Sequence, residues 1–361
     1  MRARMSSARL RLEVAIPPTY WPRRDAPCLN AVVALPRAAT ADTVGAMSAL
    51  HPELTGASDP EAALPTGQQW VIGHGPFEAT VVEVGGGLRT LTRDGVDLVA
   101  GYAAQERCAS GRGQQLMPWP NRIRDGRYTF AGTEQQLPLT EVPLRNASHG
   151  LVRWALWELV EMEDSWLTVG YRLHPQPGWE HFLDLRTTYA LDDSGLTVTT
   201  AARNVGPAPA PFGYGAHPYL ATGDTPLDDI EVRIPAREWV EVDDRLLPVG
   251  RHPVPGSDYD FLERHRVGAH DLDTAYTDVA RDADGMWRCT VASADRTVTL
   301  WADESFGWLQ VFTAIARDQK GVPGVAVEPM SCPADAFNST ESLVVLEPGD
   351  EWTGTWGITP D

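Results

Sequence analysis

Three acid–base side chains and one short run of unlike polar and aromatic residues carry the chemistry open to this chain. Glu328 stands in Glu328-Pro329-Met330, His217 in His217-Pro218-Tyr219 and His149 in His149-Gly150-Leu151. Upstream of all three lies Pro118-Trp119-Pro120-Asn121-Arg122-Ile123. A glutamate can take a proton and a histidine can carry one. An Asn-Arg pair offers donors and an acceptor for a hydroxylated ring, and an aromatic can lie against it. The set suits acid–base work by side chains on a small polar substrate.

Each residue also has a plainer reading. A lone histidine is as often a structural residue as a catalytic one. Trp119, between two prolines, is more often a packing anchor than a sugar platform, and arginines such as Arg122 usually sit on the surface. Two positions gain weight from their neighbours. His217 and Glu328 each precede a proline, which pushes their own backbone towards an extended conformation and suits exact placement of a titrating group.

Other chemistries lack their signatures. Gly85-Gly86-Gly87 and Gly111-Arg112-Gly113 do not show the G-x-G-x-x-G spacing, and no lysine follows them as in a phosphate loop. They read as tight turns. Neither an H-E-x-x-H run nor a paired-cysteine spacing announces a metal. Ser148 precedes His149, but there is no G-x-S-x-G elbow for a hydrolytic serine. Neither a cofactor nor a metal is expected.

The net charge of −19 over 361 residues argues against a nucleic-acid partner, which requires basic surface. Four scattered cysteines, Cys28, Cys108, Cys289 and Cys332, fit free thiols in a reducing compartment, with Cys332 a small buried apolar group. No apolar run reaches the length of about 18 residues needed to span a membrane. Glu13 and Pro17-Pro18 interrupt the only candidate secretory core. A cytoplasmic protein without a membrane partner is the expectation.

The elements that must position these groups begin near Trp70. Residues 1–66 hold no sustained alternation and read as an N-terminal extension of low order, with Met47 an alternative start. From there on, short β-branched and aromatic runs recur between glycine turns: Ala79–Val84, Trp166–Leu173, Asp184–Leu191, Leu196–Ala202, Trp287–Val291, Arg296–Trp301 and Trp308–Thr313. Asp192-Asp193-Ser194-Gly195 is a hairpin turn between two of them. With no amphipathic helices alternating between the strands, an antiparallel sandwich over residues 67–361 is favoured over a parallel α/β sheet.

Four ordered motifs are more specific than any one. From about Gly113 to Asn338 the chain resembles the aldose 1-epimerases, or galactose mutarotases. The resemblance rests on Leu116–Ile123 with Gly126-Arg127-Tyr128, and on the His149, His217 and Glu328 motifs. It implies an all-β fold, a large antiparallel β-sandwich (a supersandwich) with a sugar in an open cleft. It implies Glu328 as catalytic base, His217 as general acid and His149 as a second active-site histidine. Asn121, Arg122 and Asp273 would hold sugar hydroxyls, with Gln310 a further contact; Asp271 competes with Asp273. The implied activity interconverts the α and β anomers of a free hexose of the glucose or galactose type. It requires His217 charged near neutral pH, helped by a nearby carboxylate such as Glu328 or Asp273, and gives a bell-shaped pH profile. The alternatives are a hexose-6-phosphate 1-epimerase, for which Arg112, Arg124 and Arg127 could supply a basic pocket, and a non-catalytic carbohydrate-binding protein.

Overall fold

The computed structural model describes residues 63–313 and 324–361. The expected extension over 1–66, the alternative start at Met47, and Cys28 therefore lie outside the described residues except for 63–66. Within that last stretch, Thr66 is fully buried and its carbonyl accepts the Val84 amide hydrogen at 3.0 Å.

Strand after strand follows the two-residue period of the sequence. Leu183–Asp192 and Gly195–Asn204 pair antiparallel through ten residues each, and along both strands every second residue is buried. That alternation places Leu185, Tyr189, Val198 and Ala202 in the core. Two threonines, Thr187 and Thr200, share the buried face because their hydroxyls satisfy each other across the pair at 3.1 Å. These strands stand inside a nine-stranded sheet, between Trp166–Leu173 on one side and the C-terminal strand Glu351–Pro360 on the other. The all-β expectation is met: among the described residues strand pairing is antiparallel, and the helical elements are single short turns.

The second large sheet, of eight strands, bears the chemistry. Along its main path run Pro248–Pro253, Ala236–Val242, Asp273–Val279, Trp308–Phe312, Gly324–Met330, Gly215–Ala216 and Gln115–Leu116, and Tyr219–Ala221 pairs with Gly324–Met330 as well. Gly324–Met330 is buried at every position, so it reads in sequence as a nearly continuous apolar run. Glu328 is the exception within it. A core rich in large aromatics, including Trp157, Trp179, Trp287 and Trp356, fills the interior. Each such side chain contributes about 1.5–3 kcal/mol or more on burial. Cys108, Cys289 and Cys332 are buried unpaired thiols. No helix among the described residues is long and apolar enough to cross a membrane.

Candidate active site

The motifs meet because two short hairpin-like contacts and two neighbouring strands converge on one cleft. Asn121 ends the proline-rich run, and Arg122–Arg124 then pairs with Asn146–Ser148 so that Arg122 faces Ser148. His149 follows directly. Asn121 and His149 both take the left-handed backbone, at φ 53° and 61°, a conformation that asparagine and histidine tolerate better than most residues. They lock each other: the His149 amide donates to the Asn121 carbonyl at 2.7 Å, and the Asn121 amide donates to His149 Nδ1 at 3.2 Å. The second bond makes Nδ1 the acceptor, which leaves the hydrogen of the neutral ring on Nε2. Gly150 must be glycine here, because a Cβ would overlap the Met117 carbonyl.

The central strands supply the other half. Gln310 and Glu328 are direct cross-strand partners, and Asp273 pairs opposite Phe312 on the far side of the Gln310 strand. Side chains then form a relay. Arg122 Nη1 donates to Asn121 Oδ1 at 3.1 Å, Asn121 Nδ2 to Gln310 Oε1 at 3.2 Å, and Gln310 Nε2 to Asp273 Oδ1 at 2.6 Å. Glu141 anchors the relay by gripping Arg122 at both Nε and Nη2, at 2.8 and 3.0 Å. Such a two-point contact fixes the guanidinium plane.

His217 approaches from the third side. Its backbone is held by Gln114 and Gly113, and its ring stacks on Tyr219 with centroids 5.1 Å apart and planes 8° apart. Gly111 backs the ring; a Cβ there would stand 2.8 Å from His217 Cδ2. Nε2 of His217 lies 3.4 Å from Glu328 Oε1. The two groups are 6% and 3% exposed. Among the described residues, His217 Nδ1 and Glu328 Oε2 are buried without a hydrogen-bond partner. The His149 ring meets that of His217 edge-on, 5.5 Å between centroids.

Burial sets the proton balance. It drives the Glu328 carboxyl well above the ordinary range, reinforced by the negative charge of Asp273 and opposed by Arg122. It pushes His217 down to about 3, with Arg153 adding to the effect. His149 is likewise lowered, by burial and then by Arg153. Asp273 is raised by burial, against the pull of Arg122 and the Gln310 hydrogen bond. The expectation that a nearby carboxylate keeps His217 charged is thus corrected. Desolvation outweighs the ion pair, and the resting dyad keeps one proton, on Glu328.

All seven residues singled out in the sequence, Asn121, Arg122, His149, His217, Asp273, Gln310 and Glu328, line a single cleft of about 500 Å³. Asp271, the competitor of Asp273, is exposed and outside that lining. Trp119 is a core residue, 2% exposed and edge-on to Phe337. Among the lining residues without a signature in the sequence are Glu141, Arg107, Arg153 and Trp154. Arg153 and Trp154 stand just beyond the His149-Gly150-Leu151 motif, and that proximity was the available signal; nothing local marks Glu141. Among the described residues no group of three His, Cys, Asp or Glu side chains is arranged to hold a metal ion.

Residues 68–359 match the aldose 1-epimerase family model. The chain belongs to the aldose 1-epimerase family. It is 34% identical over 287 residues to the uncharacterised protein YihR of Escherichia coli K12, covering 79% of this chain and 90% of that one. It is 31% identical over 157 residues to mouse galactose mutarotase, a match that covers 42% of this chain and 45% of the mouse protein. Among solved structures it is similar to the GalM/aldose epimerase homologue of C. elegans, with TM-score 0.71 and 21% identity over 81% of this chain and 99% of the other. A galactose mutarotase-like protein of Clostridium acetobutylicum gives TM-score 0.71 at 18% identity, covering 81% and 94%. These two structures share the fold of the present chain.

Proposed function

We propose that this epimerase-family chain interconverts the α and β anomers of an aldohexose, with Glu328 and His217 as its proton-transfer pair. The observation that carries the reading is the 3.4 Å contact between His217 Nε2 and Glu328 Oε1, within a cleft whose other polar groups are already ordered. Anomer exchange needs the C1 hydroxyl to lose a proton while the ring oxygen gains one. The C1–O5 bond opens, C1–C2 rotates in the aldehyde, and closure on the other face reverses both transfers. A dyad that holds one proton supplies both roles, because accepting at one group and donating at the other leaves its proton count unchanged. The resting proton on Glu328 moves to His217 across their contact. Glu328 then takes the hydroxyl proton and His217 donates to the ring oxygen.

The relay Arg122–Asn121–Gln310–Asp273 holds the sugar hydroxyls. Its donors and acceptors are oriented before the sugar arrives, so little ordering is left to the binding step. His149, neutral with its hydrogen on Nε2, serves as a donor beside His217. Glucose and galactose are the minimal substrates for this ring-reading half of the cleft. Replacing Glu328 by glutamine tests the reading: acceleration of anomer exchange should fall by about 10²–10⁴-fold. Equal rates in both proteins would remove Glu328 from the chemistry.

A further inference from the structure

One wall of the cleft carries charge that the acid–base reading does not use. Arg107 and Arg153 both line it. Among the described residues, neither guanidinium has a carboxylate partner or a hydrogen bond, in contrast to Arg122 on Glu141. Arg107 lies over the ring of Trp154, 5.9 Å from its centroid, and Trp154 is 51% exposed. The three arginines of the sequence that were candidates for a basic pocket lie outside the lining. Arg112 donates to the Gly101 carbonyl, Arg124 pairs with Asp335 and Asp243, and Arg127 donates to Gln136. A protein of net charge −19 thus holds two cations without a carboxylate partner in the lining of its cleft, Arg153 half-buried and Arg107 exposed at the rim, and partial burial strengthens the pull of Arg153 on an anion.

The side of the cleft on which Arg153 lies follows from what holds it. Gln114, whose carbonyl accepts the His217 amide hydrogen at 3.2 Å, donates its side-chain Nε2 to the Arg153 carbonyl at 3.0 Å, whereas Arg122 is tied through Asn121 to Gln310, the cross-strand partner of Glu328. Arg153 therefore belongs to the His217 side. In the reaction above His217 serves the ring oxygen, and the ring oxygen is bonded to C5, which bears the exocyclic C6. Glu328 serves the opposite, anomeric side. Given that acid–base assignment, on which this step rests, the geometry points to a substrate that carries an oxyanion at C6, with Arg153 as its main ligand and Arg107 and Trp154 at the rim. A phosphate ester, a sulfate ester and a uronate carboxylate present the same chemistry to a guanidinium.

The test measures anomeric exchange by NMR at constant ionic strength for glucose, glucose 6-phosphate, glucose 6-sulfate and glucuronate. At least one charged sugar should exceed glucose in kcat/KM by about 10–100-fold, the range expected when a hydrogen bond to a charged group is gained; which one does identifies the anion. Arg153→Ala should reduce the charged-to-neutral ratio by a similar factor, and Arg153→Lys should restore part of it. Should Arg153→Ala not fold, competition of inorganic phosphate or sulfate against glucose exchange in the wild type decides instead. Competitive inhibition by either ion supports the assignment. Glucose exchange with no preference for any charged sugar, or a ratio unmoved in Arg153→Ala, overturns the anion subsite alone. No exchange with any of the four sugars overturns the epimerase reading together with it.

Discussion

At the scale of single residues, the site is governed by desolvation. A histidine that titrates at 6.5 in water and a glutamate that titrates at 4.5 are both driven to their neutral forms, and Arg153, Arg122, Asp273, His149 and Tyr219 surround them as the remaining charged or polar influences. The one-proton form of the dyad therefore persists over a wide pH range. The acid limb of kcat/KM should fall well below the ordinary histidine value of 6.5, towards the depressed value of about 3. A pH–rate series checks this, and an acid limb centred near 6.5 would contradict it. The same shift has a consequence for stability. The unfolded chain takes up the His217 proton as pH drops through 6.5, while the folded chain resists to about 3, so the fold loses stability across that window. Glu328 acts at the other end, because the folded carboxyl keeps its proton after the unfolded one has lost it above about 4.5. His217→Gln should thus gain in melting temperature relative to wild type as pH falls from 7 to 4, by roughly 2–4 °C for each kcal/mol of linkage removed. Thermal scans at the two pH values measure it.

At the scale of elements, precision comes from strand register and from two tight backbone contacts. The pairing of Gln310 with Glu328 puts both on one face, and a one-residue slip would turn them away from the cleft. Glu141 then acts at a distance by holding Arg122. Glu141→Ala should leave Glu328 and His217 in place, yet free the relay. We expect KM to rise by about 10-fold or more, in line with the loss of a charge-assisted contact, with a smaller change in kcat; steady-state exchange kinetics separate the two. Much of this was legible in the sequence. The long hairpin over Asp184–Ala202 and the runs at Trp166–Leu173 and Trp308–Thr313 follow the β period, and the structure has strands at all of them. Asn121, Arg122, His149, His217 and Glu328 could be named because their motifs are local, and Asp273 and Gln310 because the family resemblance points to them; strand pairing is what brings all seven to one cleft. Glu141, Arg107 and Arg153 were not legible, because their roles depend on long-range contact with no local spacing to announce it. The protonation of His217 was misjudged for a similar reason: a carboxylate neighbour can be inferred from motifs, but the depth of burial that neutralises both partners cannot.

At the scale of the whole molecule, a chain of net charge −19 carries a cleft in which, among the described residues, Arg107 and Arg153 have no carboxylate partner, and the family match occupies residues 68–359. We expect residues 59–361, which form one compact unit and contain the whole family match, to keep the wild-type exchange rate within about twofold when residues 1–58 are removed, since every residue lining the cleft falls between Arg107 and Glu328. A larger loss would assign those residues a part in the activity. We propose that this fold brings Glu328 and His217 together to exchange sugar anomers. Polarimetry tests it most directly: freshly dissolved α-D-glucose and α-D-galactose are followed with wild type and Glu328→Gln, and the spontaneous rate is subtracted. Wild type should accelerate the approach to equilibrium for at least one sugar, and Glu328→Gln should do so about 10²–10⁴-fold less. Acceleration that survives intact in Glu328→Gln would contradict it.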